Sequence, residues 1–369
     1  MEEGIVLTKR NSNLEILRII AIVMIIMHHY AIYSGFLWEN QITINRIIIN
    51  FFQMFGKLGA CLFIMISGYF YDKSEFKIKK FVTLILQVFI YSIIGLIIGI
   101  ITNSQKLNTI NILKSILPTT LGLYWFASCY ILIYIFTPIF RRIIENISKK
   151  HFKIILTEMI IIWCAFANIP KTMTFVNDFI WFIVIYFIGA YVKKYNCNFM
   201  KDNRNRIKYV ILVVIVMNVI MIGLELLFVK KPIFPKIYYF NSINSPLVLI
   251  LAILIFSIFK NLNVKNNNIV NKVALASFGI YLIHENIFFR NIIWEQIVQG
   301  SKYVNSPFLI LNAIGGVIGV FLIAMVIDFI VEKLIISSLI KIISKIYYKI
   351  KQTNTYIKLE NEMIEFYNN

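Results

Sequence analysis

The 369-residue chain is 59% hydrophobic and 15% charged, with a mean hydropathy of +0.76, which excludes a soluble globular domain and predicts an all-α integral membrane protein. A net charge of +19 would suit a nucleic-acid binder, but the Lys and Arg residues sit in short loops between apolar runs. Membrane topology therefore explains them, and no nucleic-acid partner is expected. The four cysteines, Cys61, Cys129, Cys164 and Cys197, lack metal-ligand spacing and read as free thiols, so neither a metal nor a permanently bound cofactor is expected.

Apolar runs of spanning length fall at about 14–34, 47–71, 80–101, 121–140, 153–169, 174–192, 208–229, 245–259, 270–290 and 307–332, which predicts about ten transmembrane helices. An even count places both termini on one side. With that side cytoplasmic, 27 of the 37 Lys and Arg residues lie inside and nine outside, with Lys57 within a span. This is the asymmetry of a multi-pass protein of a plasma membrane, and the Ile, Asn and Lys bias is that of an AT-rich bacterial genome. Residues 1–350 are expected to form one integral membrane domain, including a basic helix at about 335–350 lying on the inner membrane surface. Residues 351–369 read as a flexible cytoplasmic tail. The pairs Gly95/Gly99 and Gly315/Gly319 are spaced to let neighbouring spans approach closely.

The first run carries Glu15 and Arg18 at its start and His28 and His29 near its far end, and ionisable groups in a span usually face a protein interior or wet cavity. Arg18 and His29 are eleven residues apart. On a helix this places them on one face, roughly 16 Å apart along the axis, with His28 turned about 80° away. Glu15 can pair with Arg18 at i,i+3. A neutral buried imidazole suits general-base work, so Arg18 near the inner surface and His29 deep in the outer half form a directed stripe.

The second run ends in Ser67-Gly68-Tyr69 at the inner face, followed by Lys73, Lys77, Lys79 and Lys80. These lysines form a positive-inside loop or a basic rim for an anionic, phosphate-bearing donor. Lys57, within the same run, is expected to snorkel or pair. The fourth run opens on Tyr124-Trp125-Phe126, an interfacial aromatic belt or a platform for a sugar ring. The ninth run places Tyr281, His284 and Glu285 at the depth of His28 and His29, which suggests a shared polar site. His151 lies in an inner loop, away from that group.

Four segments carry a family likeness. Leu14-Glu15-Ile16-Leu17-Arg18-Ile19-Ile20-Ala21 leads to His29 after an Arg, ten residues and a His. FIMISGYF (63–70), YWFASCYILIYIFTPIF (124–140) and SFGIYLIHEN (277–286) follow in order. Over about residues 8–350 the chain resembles acyltransferase family 3. That resemblance implies transfer of an acyl group, usually acetyl from cytoplasmic acetyl-CoA, to a hydroxyl of a cell-envelope or exopolysaccharide sugar. It implies that His29 is catalytic and that Arg18 helps hold the CoA donor, with Ser67, Lys79 and Lys80 as further donor-binding candidates. Glu15, His28, Tyr69, Trp125, Tyr281, His284 and Glu285 are then the candidates for the acceptor or supporting site. Family members often carry arginines where Lys79 and Lys80 stand, and lysine does not grip phosphate bidentately. The expected partners are thus the bilayer, acyl-CoA and a glycan or lipid-linked sugar; no feature specifies an oligomeric state. From the residues alone, a transporter or flippase of glycans or lipid-linked sugars is the alternative, whereas a glycan polymerase would carry a larger outer loop.

Overall fold

Long runs of Ile, Leu, Val and Phe satisfy their backbone in hydrocarbon only as helix. The computed structural model, which describes residues 11–38, 42–73, 75–103, 108–169, 177–198, 200, 202–228 and 242–351, is 83% helical and has no strand among them. The helices are α1 (Ser12–Tyr33), α2 (Ile44–Gln53), α3 (Phe55–Tyr69), α4 (Ile78–Thr102), α5 (Thr109–Ile116), α6 (Trp125–Asn146), α7 (Lys149–Ile160) and α8 (Asp178–Lys194). Then come α9 (Asn203–Phe228), α10 (Pro246–Lys260), α11 (Asn268–Leu275), α12 (Ser277–Glu285), α13 (Ile287–Arg290), α14 (Leu309–Val331) and α15 (Ser337–Lys351).

Seven helices among the described residues are long and apolar enough to cross a membrane: Ser12–Tyr33, Ile44–Tyr69, Ile78–Thr102, Trp125–Asn146, Lys149–Asn168, Asn203–Leu227 and Leu309–Ile346. The chain is thus a multi-pass membrane protein. The other three expected spans differ from a full-length helix for separate reasons. Helix α8 has 17 described residues and α10 has 15. The ninth run is not one helix: it breaks at Ala276 and again at Asn286, which leaves the α-region with φ −59° and ψ 128°.

Helix α3 is the centre of the bundle, packed most extensively against α8 and α1. Glycine makes these approaches possible. A Cβ on Gly68 would stand 2.0 Å from the Tyr186 carbonyl oxygen, one on Gly189 2.2 Å from that of Met65, and one on Gly59 2.6 Å from that of Ala21. Gly95 and Gly99 likewise seat Asn286 and Phe288. The second expected pair does not behave this way, because no heavy atom would lie within 4 Å of a Cβ on Gly315 or Gly319. Gly316, between them, is the residue that meets Val298.

One end of the bundle gathers the basic loops. The Ser12 hydroxyl donates to Asn271 and accepts from the Asn267 amide, and Asn13 donates to the Phe259 carbonyl. Lys193 pairs with Asp72 at 3.6 Å, and Lys194 donates to the carbonyls of Glu145 and Ile147 that close α6. At the other end Tyr30 donates to Asn312, which donates to the Val298 carbonyl. Helix α14 runs through a π-turn (Glu332–Ile336) into α15, so the expected basic surface helix continues the last span. The tail after 351 and the outer loop with Lys230, Lys231 and Lys236 lie outside the described residues. The four cysteines are free.

Candidate active site

Three adjoining cavities run along α1. The first, of about 540 Å³, lies at the basic end and is lined by Glu15, Arg18, Ser67, Tyr69, Lys73, Lys80, Tyr130 and Lys193. The second, of about 490 Å³, shares Arg18, Ser67, Lys80 and Tyr130 with it and continues past Ile25 and Phe63 to Phe126 and Tyr281. The third is a small chamber of about 110 Å³ that shares Ile25, Phe126 and Tyr281 with the second and is closed by His28, His29, Tyr33, Lys57, Trp125 and Glu285. The path thus leads from Arg18 to His29 on the face of α1 that helical phase assigns to both.

At the basic end Arg18 pairs with the buried Glu15 at 3.5 Å while its own side chain stays 25% exposed. Lys193 adds a cation 5.2 Å from the Tyr69 ring. Four cations against one carboxylate on the wall make this cavity a positive well for an anion. Ser67 lines it, although its hydroxyl already donates to the Phe63 carbonyl. Glu15 and Tyr69, candidates for the acceptor or supporting site, line this basic cavity beside Arg18. Lys79 is exposed and lines none of the three cavities, whereas Lys80 lines two and covers the Tyr134 ring at 4.6 Å.

In the chamber His29 Nε2 is 3.2 Å from a Glu285 carboxylate oxygen, and both side chains are buried. Glu285 also receives the Tyr33 hydroxyl at 3.4 Å and the Arg290 guanidinium. Arg290 lies 4.3 Å over the Tyr33 ring, which holds it in place. A carboxylate only accepts, so it fixes the proton on His29 Nε2 and leaves Nδ1 as the bare lone pair. Among the described residues Nδ1 is buried without a hydrogen-bond partner. The His284 ring lies 4.9 Å from that of His29, with its own Nδ1 2.5 Å from the Ile280 carbonyl. His28 is held away from this contact: its Nδ1 is 2.8 Å from the Gln53 carbonyl, at the irregular turn between α2 and α3.

Arg290 is the functional candidate that the sequence left among the outer-loop charges. On an unbroken helix, residues five apart lie about 140° from each other, so Glu285 and Arg290 would face different ways. The break at Asn286 brings them together. Asn286 is fully buried; its Nδ2 donates to the Tyr124 hydroxyl at 2.6 Å and the Tyr91 carbonyl at 3.2 Å, and its Oδ1 accepts from the Phe288 amide at 2.9 Å. Tyr124 is therefore a buried hydrogen-bonding residue and not part of an aromatic belt. Trp125 lines the chamber, with the Lys57 ammonium 4.4 Å from its ring centroid.

The helices thus bring a carboxylate-backed histidine and a cavity lined by cations together inside one apolar bundle. Residues 11–329 match the family model of the acyltransferase domain, and the chain belongs to acyltransferase family 3. It is a membrane acyltransferase. No curated protein and no solved structure matches it.

Proposed function

We propose that the chain transfers an acetyl group from cytoplasmic acetyl-CoA to a hydroxyl of a cell-surface or exopolysaccharide sugar, with His29 as general base. The observation that carries this reading is the Glu285–His29 pair at one end of a row of adjoining cavities whose other end is lined by Arg18, Lys73, Lys80 and Lys193. In this reading the cations hold the phosphates of the donor, and the pantetheine arm runs along α1 towards the chamber. Glu285 orients the imidazole and balances the positive charge that forms on it, as a buried carboxylate does for a catalytic histidine elsewhere. Arg290 neutralises Glu285, which would otherwise be a lone carboxylate at membrane depth. The protein then sits in a bacterial plasma membrane with ten spans and both termini cytoplasmic.

The chamber at His29, of about 110 Å³, has room for reacting atoms and not for a whole sugar, which supports transfer over carriage of a glycan. Whole-ligand pockets run to roughly 300–1,000 Å³. Mass spectrometry of envelope glycans from cells with and without the gene tests the reading. A loss of one acetyl mass per modified residue is expected. Glycans of unchanged mass in the deleted strain would refute it.

A further inference from the structure

Lys57 is the cation of the chamber that the acid–base pair leaves unused. It stands 13 residues into the span Ile44–Tyr69 and 12 from its end, with about 18 Å of helix on either side. That is farther than a lysine side chain snorkels, so the ammonium stays at membrane depth, where an uncompensated cation is costly. Among the described residues no carboxylate pairs with it; the Trp125 face at 4.4 Å is its contact. Lys57 lines the same chamber as His28, His29 and Glu285. A positive group is thus held by an aromatic ring in the chamber of His29, while the one carboxylate there, Glu285, is taken up by His29, Tyr33 and Arg290.

The size of the chamber decides which anion Lys57 can answer. About 110 Å³ has room for a few heavy atoms and none for a carboxylate-bearing sugar ring. The anion must therefore be one that arises among the reacting atoms. We infer that Lys57 stabilises the oxyanion of the acyl-transfer step, with Trp125 as the residue that positions it. This rests on the acyl-transfer reading above.

The step balances within the chamber. His29 Nδ1 takes the proton of the acceptor hydroxyl as its oxygen forms a bond to the thioester carbonyl carbon. The π pair moves onto the carbonyl oxygen, which faces the Lys57 ammonium. The pair then returns, the C–S bond breaks, and the CoA thiolate leaves with the proton from Nδ1. Cations aimed at a charge that exists only in the transition state raise kcat without tightening substrate binding.

Membrane vesicles that carry the protein supply the native acceptor, and radiolabelled acetyl-CoA is the donor probe. Lys57→Met is expected to lower kcat by about 10²–10³-fold. KM for acetyl-CoA, and equilibrium binding of acetyl-CoA to the purified protein, should stay within about twofold, which also shows that the variant folds. Lys57→Arg should recover part of the rate, and Trp125→Leu should fall between the two. A Lys57→Met protein within about threefold of the parent in kcat overturns the proposal. So does a loss expressed wholly in KM for acetyl-CoA, which would make Lys57 a donor-binding cation. A loss relieved by more acceptor overturns it too and points to an anionic sugar held by Lys57. The parent and His29→Ala run alongside: no label transfer by the parent removes the acyl-transfer reading and this proposal with it. Activity retained by His29→Ala with Lys57→Met inactive removes the base assignment and leaves Lys57 standing.

Discussion

The two ends of the α1 path are built on opposite rules. The basic cavity is wide, open and lined by lysines on long flexible stems, several of them exposed. The His29 chamber is a fifth of that size, and its histidines and Glu285 are held by contacts from α1, α12 and α13. Flexible cations in a wet cavity suit capture of a polyanion, where many approach geometries serve and screening by salt is strong. Fixed groups in a small chamber suit proton transfer, where a displacement of about 1 Å is costly. In the proposed function, binding and chemistry are thereby separated along one helix by roughly 16 Å.

Substitutions at the two ends should fail in different ways. His29→Ala is expected to lower acyl transfer by about 10³-fold or more. Glu285→Gln should follow at about 10²-fold through loss of the tautomer and of charge balance. Binding of acetyl-CoA to both purified variants should be unchanged. A weakened donor affinity for either would break the separation. Arg18→Ala should do the reverse, raising the Kd for acetyl-CoA by roughly 10- to 100-fold, as expected for about 1.5–3 kcal/mol from a charged hydrogen-bonding group. The rate at saturating donor should hold. The smallest effect separates two adjacent lysines. Lys80→Gln should weaken donor binding several-fold, within about 1 kcal/mol, and steepen no further with salt, whereas Lys79→Gln should match the parent. Equal losses from both would mean that the loop acts only as a diffuse positive field.

The stripe from Arg18 to His29 was legible because an intact helix preserves the relation between sequence spacing and facing direction. His284 and Glu285 were legible for the same reason, since each side chain stands at a definite depth in its span. Arg290 and Lys57 were not. The first depends on a break at Asn286 that no apolar pattern announces, although an Asn directly after His-Glu inside an apolar run is a signal in hindsight. The second depends on which neighbour fills the space beside it: a lysine in a span looks alike whether it reaches water or an indole. Lys79 and Lys80 are adjacent in sequence and 100° apart on a helix, so composition could not tell them apart while the packing of α4 does. Tyr124 opens an aromatic run whose composition fits a belt or a sugar platform, but it is buried and its hydroxyl accepts from Asn286, a contact that no run-start pattern announces.

In the proposed function, that asparagine ties catalysis to assembly. Asn286 is held by Tyr91 on α4 and by Tyr124 at the start of α6, and it in turn sets the direction of Glu285 and Arg290. A nascent chain that has inserted α1 but not yet docked α4, α6 and α12 owns a histidine without an orienting carboxylate. Such a chain would meet cellular thioesters with an inert imidazole. In the proposed function, the site is therefore complete only once α12 is docked against α4 and α6.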